Sequence, residues 1–178
     1  MAIGRVYNVD TGATTGISIG TGGVAGTEYV LLVGGMTGAA EFNVSAVRVA
    51  TYSGSSAVYP SNGTITWRIR RVSGANSGLF VSTATAYAAG QSTTTAASTW
   101  LYSSANGSGT GTYATYGAVL WSQTTPCTAG ANWGEWFTPG FEINAGANAG
   151  TILALTYEYG AAGTSSAVNL MAGLVISE

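Results

Sequence analysis

Thr64-Ile65-Thr66-Trp67-Arg68-Ile69-Arg70-Arg71-Val72 decides the fold. Its apolar residues recur at every second position: Ile65, Trp67 and Ile69 share one face, while Thr66, Arg68 and Arg70 share the other. Successive side chains of a β-strand point to opposite sides, so this period places an indole and two β-branched residues in a core and the polar set away from it. A helix would scatter the same residues around its circumference.

The rest of the chain follows this example. Residues 3–9 alternate, with Ile3, Arg5, Tyr7 and Val9 in phase. Residues 28–33 form a continuous apolar run, short enough for a strand buried on both faces. In residues 41–52, Phe42, Val44 and Ala46 share one face and Val47 and Val49 the other, which predicts a bulge or a change of sheet at 46–47. Further strands are expected over 79–87, 99–102, 114–123, 133–137, 151–159 and 168–176. The last of these carries Val168, Leu170, Ala172, Leu174 and Ile176 in phase. Glycine interrupts every stretch long enough for a three-turn helix. Roughly nine or ten short strands joined by Gly/Ser turns read as a sandwich or barrel. The long connections at 10–26 and 88–98 suit crossings between sheets. The expected fold is therefore all-β, a jelly-roll-like antiparallel β-sandwich, with an immunoglobulin-like sandwich as the alternative. One domain is expected over 1–178, with a possible N-terminal arm at 1–26.

Composition narrows the function. The chain has five Lys+Arg, seven Asp+Glu and no histidine, and all five cations are arginine. Charged residues make up 7% of the chain, against about 25% in an ordinary protein. Without histidine there is no Ser–His–Asp triad, and the commonest metal ligand is missing. Cys127 is the single cysteine, in uncharged surroundings, so it can form no internal disulfide and reads as a structural thiol. Glu135 and Glu142, beside Trp133 and Trp136, are the one carboxylate pair worth weighing as a glycosidase; a solvated strand is the simpler reading. The Gly20–Glu28 stretch GTGGVAGTE lacks the lysine of a phosphate loop and reads as a glycine-rich loop. Five arginines at a net charge of −2 make no basic stripe for nucleic acid. The expectation is that the chain is not an enzyme and takes no cofactor or metal.

Gly, Ala, Ser and Thr fill more than half of the chain. Such a surface is short of charged solubilisers and is expected to be covered by other subunits or by a partner. Five Trp and ten Tyr supply the residue types enriched at interface hot spots. The interface candidates are Arg5, Tyr7, Trp100, Tyr102, Trp133 and Trp136. Trp100, Tyr102, Tyr113 and Tyr116 form an alternative stacking platform for a glycan or receptor. No apolar run approaches the ~18–20 residues of a membrane span. MAIGRVYNVDTG has no signal-peptide pattern, so synthesis in a cytoplasm is expected.

Residues 120–140, LWSQTTPCTAGANWGEWFTPG, and the terminal MAGLVISE resemble segments of small structural proteins of tailed bacteriophages. The resemblance covers about a fifth of the chain by residue count and is to capsid decoration (cement) proteins and head-fibre or tail-fibre β-domains. It implies a homotrimeric β-sandwich that docks on the major capsid protein and resides in the virion, with no catalytic residue. The absence of internal repeats favours decoration over a fibre shaft. Deeper in that expectation, the N-terminal residues 1–12 act as a clasp on a neighbour's sheet edge.

Overall fold

The computed structural model describes residues 6–10, 17–19, 26–35, 42–52, 63–77, 82–84, 87–88, 99–102, 112–127, 133–139, 143–145, 152–160 and 168–177. Nearly all of them are strand: β1 Val6–Asp10, β2 Ile17–Ile19, β3 Glu28–Gly35, β4 Phe42–Tyr52, β5 Gly63–Ser77, β6 Ser82–Ala84, β7 Tyr87–Ala88, β8 Thr99–Tyr102, β9 Thr112–Cys127, β10 Trp133–Phe137, β11 Ile143–Ala145, β12 Ile152–Tyr159 and β13 Val168–Ser177. They form two antiparallel sheets packed into a β-sandwich. The first runs β10-β4-β13-β1-β7; β11 extends the place of β10 along β4, and β2 pairs with β13. The second runs β6-β8-β3-β12-β5-β9. No two described strands that are consecutive in the chain pair with each other. Taken along the chain, β1, β4, β10 and β13 belong to the first sheet and β3, β5, β9 and β12 to the second. The chain thus crosses the sandwich at almost every long connection.

The expected strand at 64–72 is the middle of β5, with Ile65, Trp67 and Ile69 fully buried. Trp67 carries a polar N–H into this core, and its Nε1 donates to Thr125 Oγ1 of β9 at 2.9 Å, so the indole is both packed and satisfied. β12 contributes Leu153, Leu155, Tyr157 and Tyr159. β13 contributes Leu170, Ala172, Leu174 and Ile176 in the expected phase. Tyr157 lies against Tyr29, Tyr159 and Trp67, with ring centroids 5.6, 5.7 and 6.5 Å away. Burial pushes its phenol well above the ordinary tyrosine value, and the neighbouring Tyr159, Tyr29 and Tyr116 add to the shift.

Two bulges explain the breaks in period. Along β4, Val44 faces Ile176 and Ala46 faces Val175, leaving Ser45 as the extra residue. Ser45 Oγ donates to the Val175 carbonyl at 3.2 Å. The bulge turns the chain so that Phe42 and Val44 before it and Val47 and Val49 after it all face the core. The two sets were expected on opposite faces of the strand, and the strand stays in one sheet. Along β3, Leu32 faces Leu155 and Val30 faces Thr156, so Leu31 is the extra residue and both leucines enter the core. The continuous run 28–33 has a second cause. Val30, Val33, Val72 and Ala154 form a smaller apolar cluster on the far side of the second sheet, packed under Tyr116.

That cover comes from β5 and β9. The two strands pair from Gly63↔Cys127 to Ser77↔Thr112, with register shifts between Ile69 and Arg70, Arg70 and Val72, and Ser73 and Asn76. The shifts raise the local twist. Beyond them the ribbon brings Tyr116 over the outer face as far as β3, where its hydroxyl donates to the Glu28 carbonyl at 3.3 Å. A Cβ on Gly117 would lie 3.0 Å from the Arg71 carbonyl oxygen, so only glycine allows this close approach without a backbone shift. At the end of the sandwich Gly26 sits at φ +77°, a conformation glycine adopts freely, and its N–H donates to the Tyr159 carbonyl at 3.0 Å.

Candidate functional site

The outer face of the second sheet begins with an electrostatic problem. Glu158 of β12 stands directly opposite Glu28 of β3. Like charges at paired positions repel. The neighbouring strand β5 supplies the answer, because Arg68 and Arg70 occupy the face opposite Ile65, Trp67 and Ile69. Arg68 Nη1 lies 2.6 Å from Glu158 Oε2 and 3.5 Å from Glu28 Oε2, bridging the two acids. Arg70 Nη1 donates to Glu28 Oε2 at 2.5 Å. Thr156 Oγ1 donates to the other oxygen of Glu28. The guanidinium of Arg70 is held from above as well. Its Nε and Nη2 donate to the Gly117 carbonyl at 3.2 and 2.9 Å, and its carbon lies 5.3 Å from the Tyr116 ring centre. The four charged side chains are between 14% and 25% exposed, so the network is partly shielded from water. It is neutral in sum, and it latches the β5–β9 ribbon onto the sheet.

The outer face of the first sheet is built differently. Trp136 of β10 is paired with Arg48 of β4 and is 55% exposed. The Arg48 guanidinium carbon lies 5.8 Å from the indole centre, within cation–π range. Val6 of β1 is exposed on the same side of the sheet, and Val119 of β9 is exposed in the second sheet. Along β9 the outward backbone groups are partly guarded. Pro126 has no N–H to offer, and Gln123 Nε2 donates to the Thr124 carbonyl at 3.2 Å.

The expected interface residues fall in different places. Tyr7 is 6% exposed and belongs to the core, because β1 is an inner strand of the first sheet, between β13 and β7. Residues 6–10 are therefore tied into this chain's own sheet. Trp136 is on the surface. Trp133 pairs with Thr51 along β4, and Trp100 and Tyr102 lie in β8 between β3 and β6. The side chains of these three lie outside the described residues, as do Arg5, Tyr113 and Glu142. Tyr116, expected on a glycan platform, is half-buried and engaged with Arg70 and Glu28. Glu135 is exposed on β10. Among the described residues no group of three or more His, Cys, Asp or Glu could hold a metal ion. Also among them, no helix is long and apolar enough to cross a membrane.

The ion network escaped the sequence reading. Arg68 and Arg70 were legible as a shared face, but their partners Glu158 and Glu28 lie 90 and 42 residues away. The available signal was that Glu28 and Glu158 each occupy the polar phase of an otherwise apolar strand. Fold and site together define a charge-poor antiparallel β-sandwich with an ion network on the outer face of its second sheet and the Trp136–Arg48 pair on that of its first. No protein-family model and no curated protein sequence matches the chain.

Proposed function

We propose that this chain is a virion structural protein, a capsid decoration protein that stabilises a phage head by docking on capsid subunits. The observation that carries the reading is where the charge goes. Four of the twelve charged residues are drawn into the internal Arg68–Arg70–Glu28–Glu158 network. The exterior left behind is poor in solubilising groups and carries an exposed tryptophan stacked by an arginine. Such a surface favours a partner over water, and Trp and Arg are the side chains that most often anchor one. The long connections that cross between the sheets are compatible with the jelly-roll-like sandwich of this reading. Docking by this surface is dispersive and apolar, with little ionic content. The contact forms through faces of the sandwich, since residues 6–10 are used within the chain's own sheet.

The test is electron microscopy of purified particles with and without the chain, together with occupancy measured across salt concentration. Density for the sandwich at a repeated lattice position, retained at about 1 M salt where the Debye length falls to about 3 Å, supports the proposal. A chain that never co-purifies with particles refutes it. A steep loss of occupancy with salt refutes the apolar mechanism.

A further inference from the structure

We infer that the distal part of the β5–β9 ribbon is a hinged strap, which lifts from the outer face of the second sheet as a unit and uncovers an apolar strip beneath it. The strap comprises residues 72–77 of β5 and 112–116 of β9, the part beyond the first register shifts. Before those shifts, seven successive residue pairs from Gly63↔Cys127 to Ile69↔Trp121 run in unbroken register. There Trp121 packs on the main core and Trp67 bonds to Thr125. The ladder is then interrupted twice between residues 117 and 120 of β9. Leu120 is an extra residue between the Ile69 and Arg70 pairs, and Gly117 and Ala118 together face Arg71. Extra residues bend a strand and locally disrupt its ladder, so the ribbon turns most easily here.

The contacts that hold the strap down converge on its last residues. β9 comes against β3 although β12 and β5 lie between them in the sheet. Tyr116 packs over Val30, Val33 and Ala154, which are at most 3% exposed although they lie on the outer face. Its hydroxyl donates to the Glu28 carbonyl at 3.3 Å, and the Arg70 guanidinium lies against both its ring and the Gly117 carbonyl. Val72 meets β12 at Ile152, the last pair between β5 and β12. Among the described residues, lifting the strap breaks that terminal pair and the contacts of one tyrosine. It leaves the main core and the Arg68–Glu158 and Arg70–Glu28 ion pairs in place. An opening of that size lies well below global unfolding in free energy. The open form presents Val30, Val33 and Ala154 beside the ion network, and the closed form shields them with the chain's own tyrosine.

This opening stands apart from the virion reading and is tested with the purified full-length chain alone, by thiol labelling under native conditions. With Cys127, the single cysteine, replaced by serine, Ala154→Cys places a thiol under the strap and Ala172→Cys places one in the main core. Labelling by dithionitrobenzoate is followed across urea concentrations below the unfolding midpoint. Without urea, Ala154→Cys should label at least about 100-fold faster than Ala172→Cys. Its rate should be nearly flat with urea, because the strap exposes little surface on opening, whereas Ala172→Cys should rise steeply. Tyr116→Phe keeps the ring and removes the hydroxyl bond, so it should speed Ala154→Cys labelling roughly 2- to 12-fold and leave the rate flat. Val33→Cys gives the same reading from β3 if Ala154→Cys does not fold. A thiol under the strap that labels with the steep urea dependence of Ala172→Cys overturns the inference. So does a fast, flat rate that Tyr116→Phe leaves unchanged, since the opening then lies elsewhere.

Discussion

Replacing Glu28 by glutamine tests the latch most directly. The substitution keeps shape and removes one charge from the point where both arginines converge. Arg70 loses a 2.5 Å charge-assisted bond, and Arg68 loses its weaker contact at 3.5 Å. A hydrogen bond to a charged group contributes about 1.5–3 kcal/mol. Arg68 keeps Glu158 at 2.6 Å, and Thr156 keeps an acceptor, so the loss is confined largely to Arg70. The expected destabilisation is about 2–3 kcal/mol. Glu158→Gln should cost less, about 1 kcal/mol, because Glu158 is more exposed and holds one arginine. The order of the two is the sharper part of the prediction.

Urea unfolding followed by tryptophan fluorescence gives these values, provided that the slope with denaturant is unchanged. The Glu28→Gln/Arg70→Met double variant completes a thermodynamic cycle. The two residues should couple by about 1–2 kcal/mol, because neighbours in one network are not additive. A loss below about 0.5 kcal/mol for Glu28→Gln, zero coupling with Arg70, or a larger cost for Glu158→Gln would each refute the latch.

Other outcomes follow from the same geometry. Thr125→Val should cost about 1–3 kcal/mol in the same unfolding assay, because it leaves the buried Trp67 N–H without its acceptor. Gly117→Ala should cost roughly 1–3 kcal/mol by forcing β9 away from the Arg71 carbonyl. Alkaline titration should show a fall in stability above the ordinary tyrosine value of 10.0, since the unfolded Tyr157 then ionises while the folded one resists. Below that value the phenol is neutral in both states and contributes no slope; Tyr157→Phe should flatten the alkaline fall. Stopped-flow refolding should proceed in milliseconds to seconds, because the described sheet pairings join strands distant in sequence. A dominant phase faster than a millisecond would contradict that topology.

Single strands were legible because each solves a local problem. The alternation around Trp67 needs no knowledge of partners: an indole and two isoleucines at period two must face a core. The irregular strands were legible only as irregularities. The phase break after Ala46 marked a bulge, but whether the two sets of apolar residues would part or rejoin depends on Val175 and Ile176, more than a hundred residues away. Tyr7 shows the same limit from the other side. Its alternation with Val9 is equally compatible with an exposed arm and an inner strand. What decides is the place of β1 between β13 and β7, a matter of topology. Trp136 was legible as a candidate interface residue because it stands three positions from Trp133, so the two rings take opposite faces of one strand.

The scarcity of charge and the existence of the ion network belong to one argument. Two opposed glutamates repel on a sheet face, and the ribbon laid over that face has only a small apolar cluster under Tyr116 to anchor it. Arg68 and Arg70 resolve both. They neutralise the glutamates from the neighbouring strand, and Arg70 reaches beyond them to hold the Gly117 carbonyl and the Tyr116 ring. Ionic groups are costly to shield, and their best-attested return is a fixed register. Here they fix where the β5–β9 ribbon lies. The Trp136–Arg48 pair lies outside that network, at the surface of the first sheet.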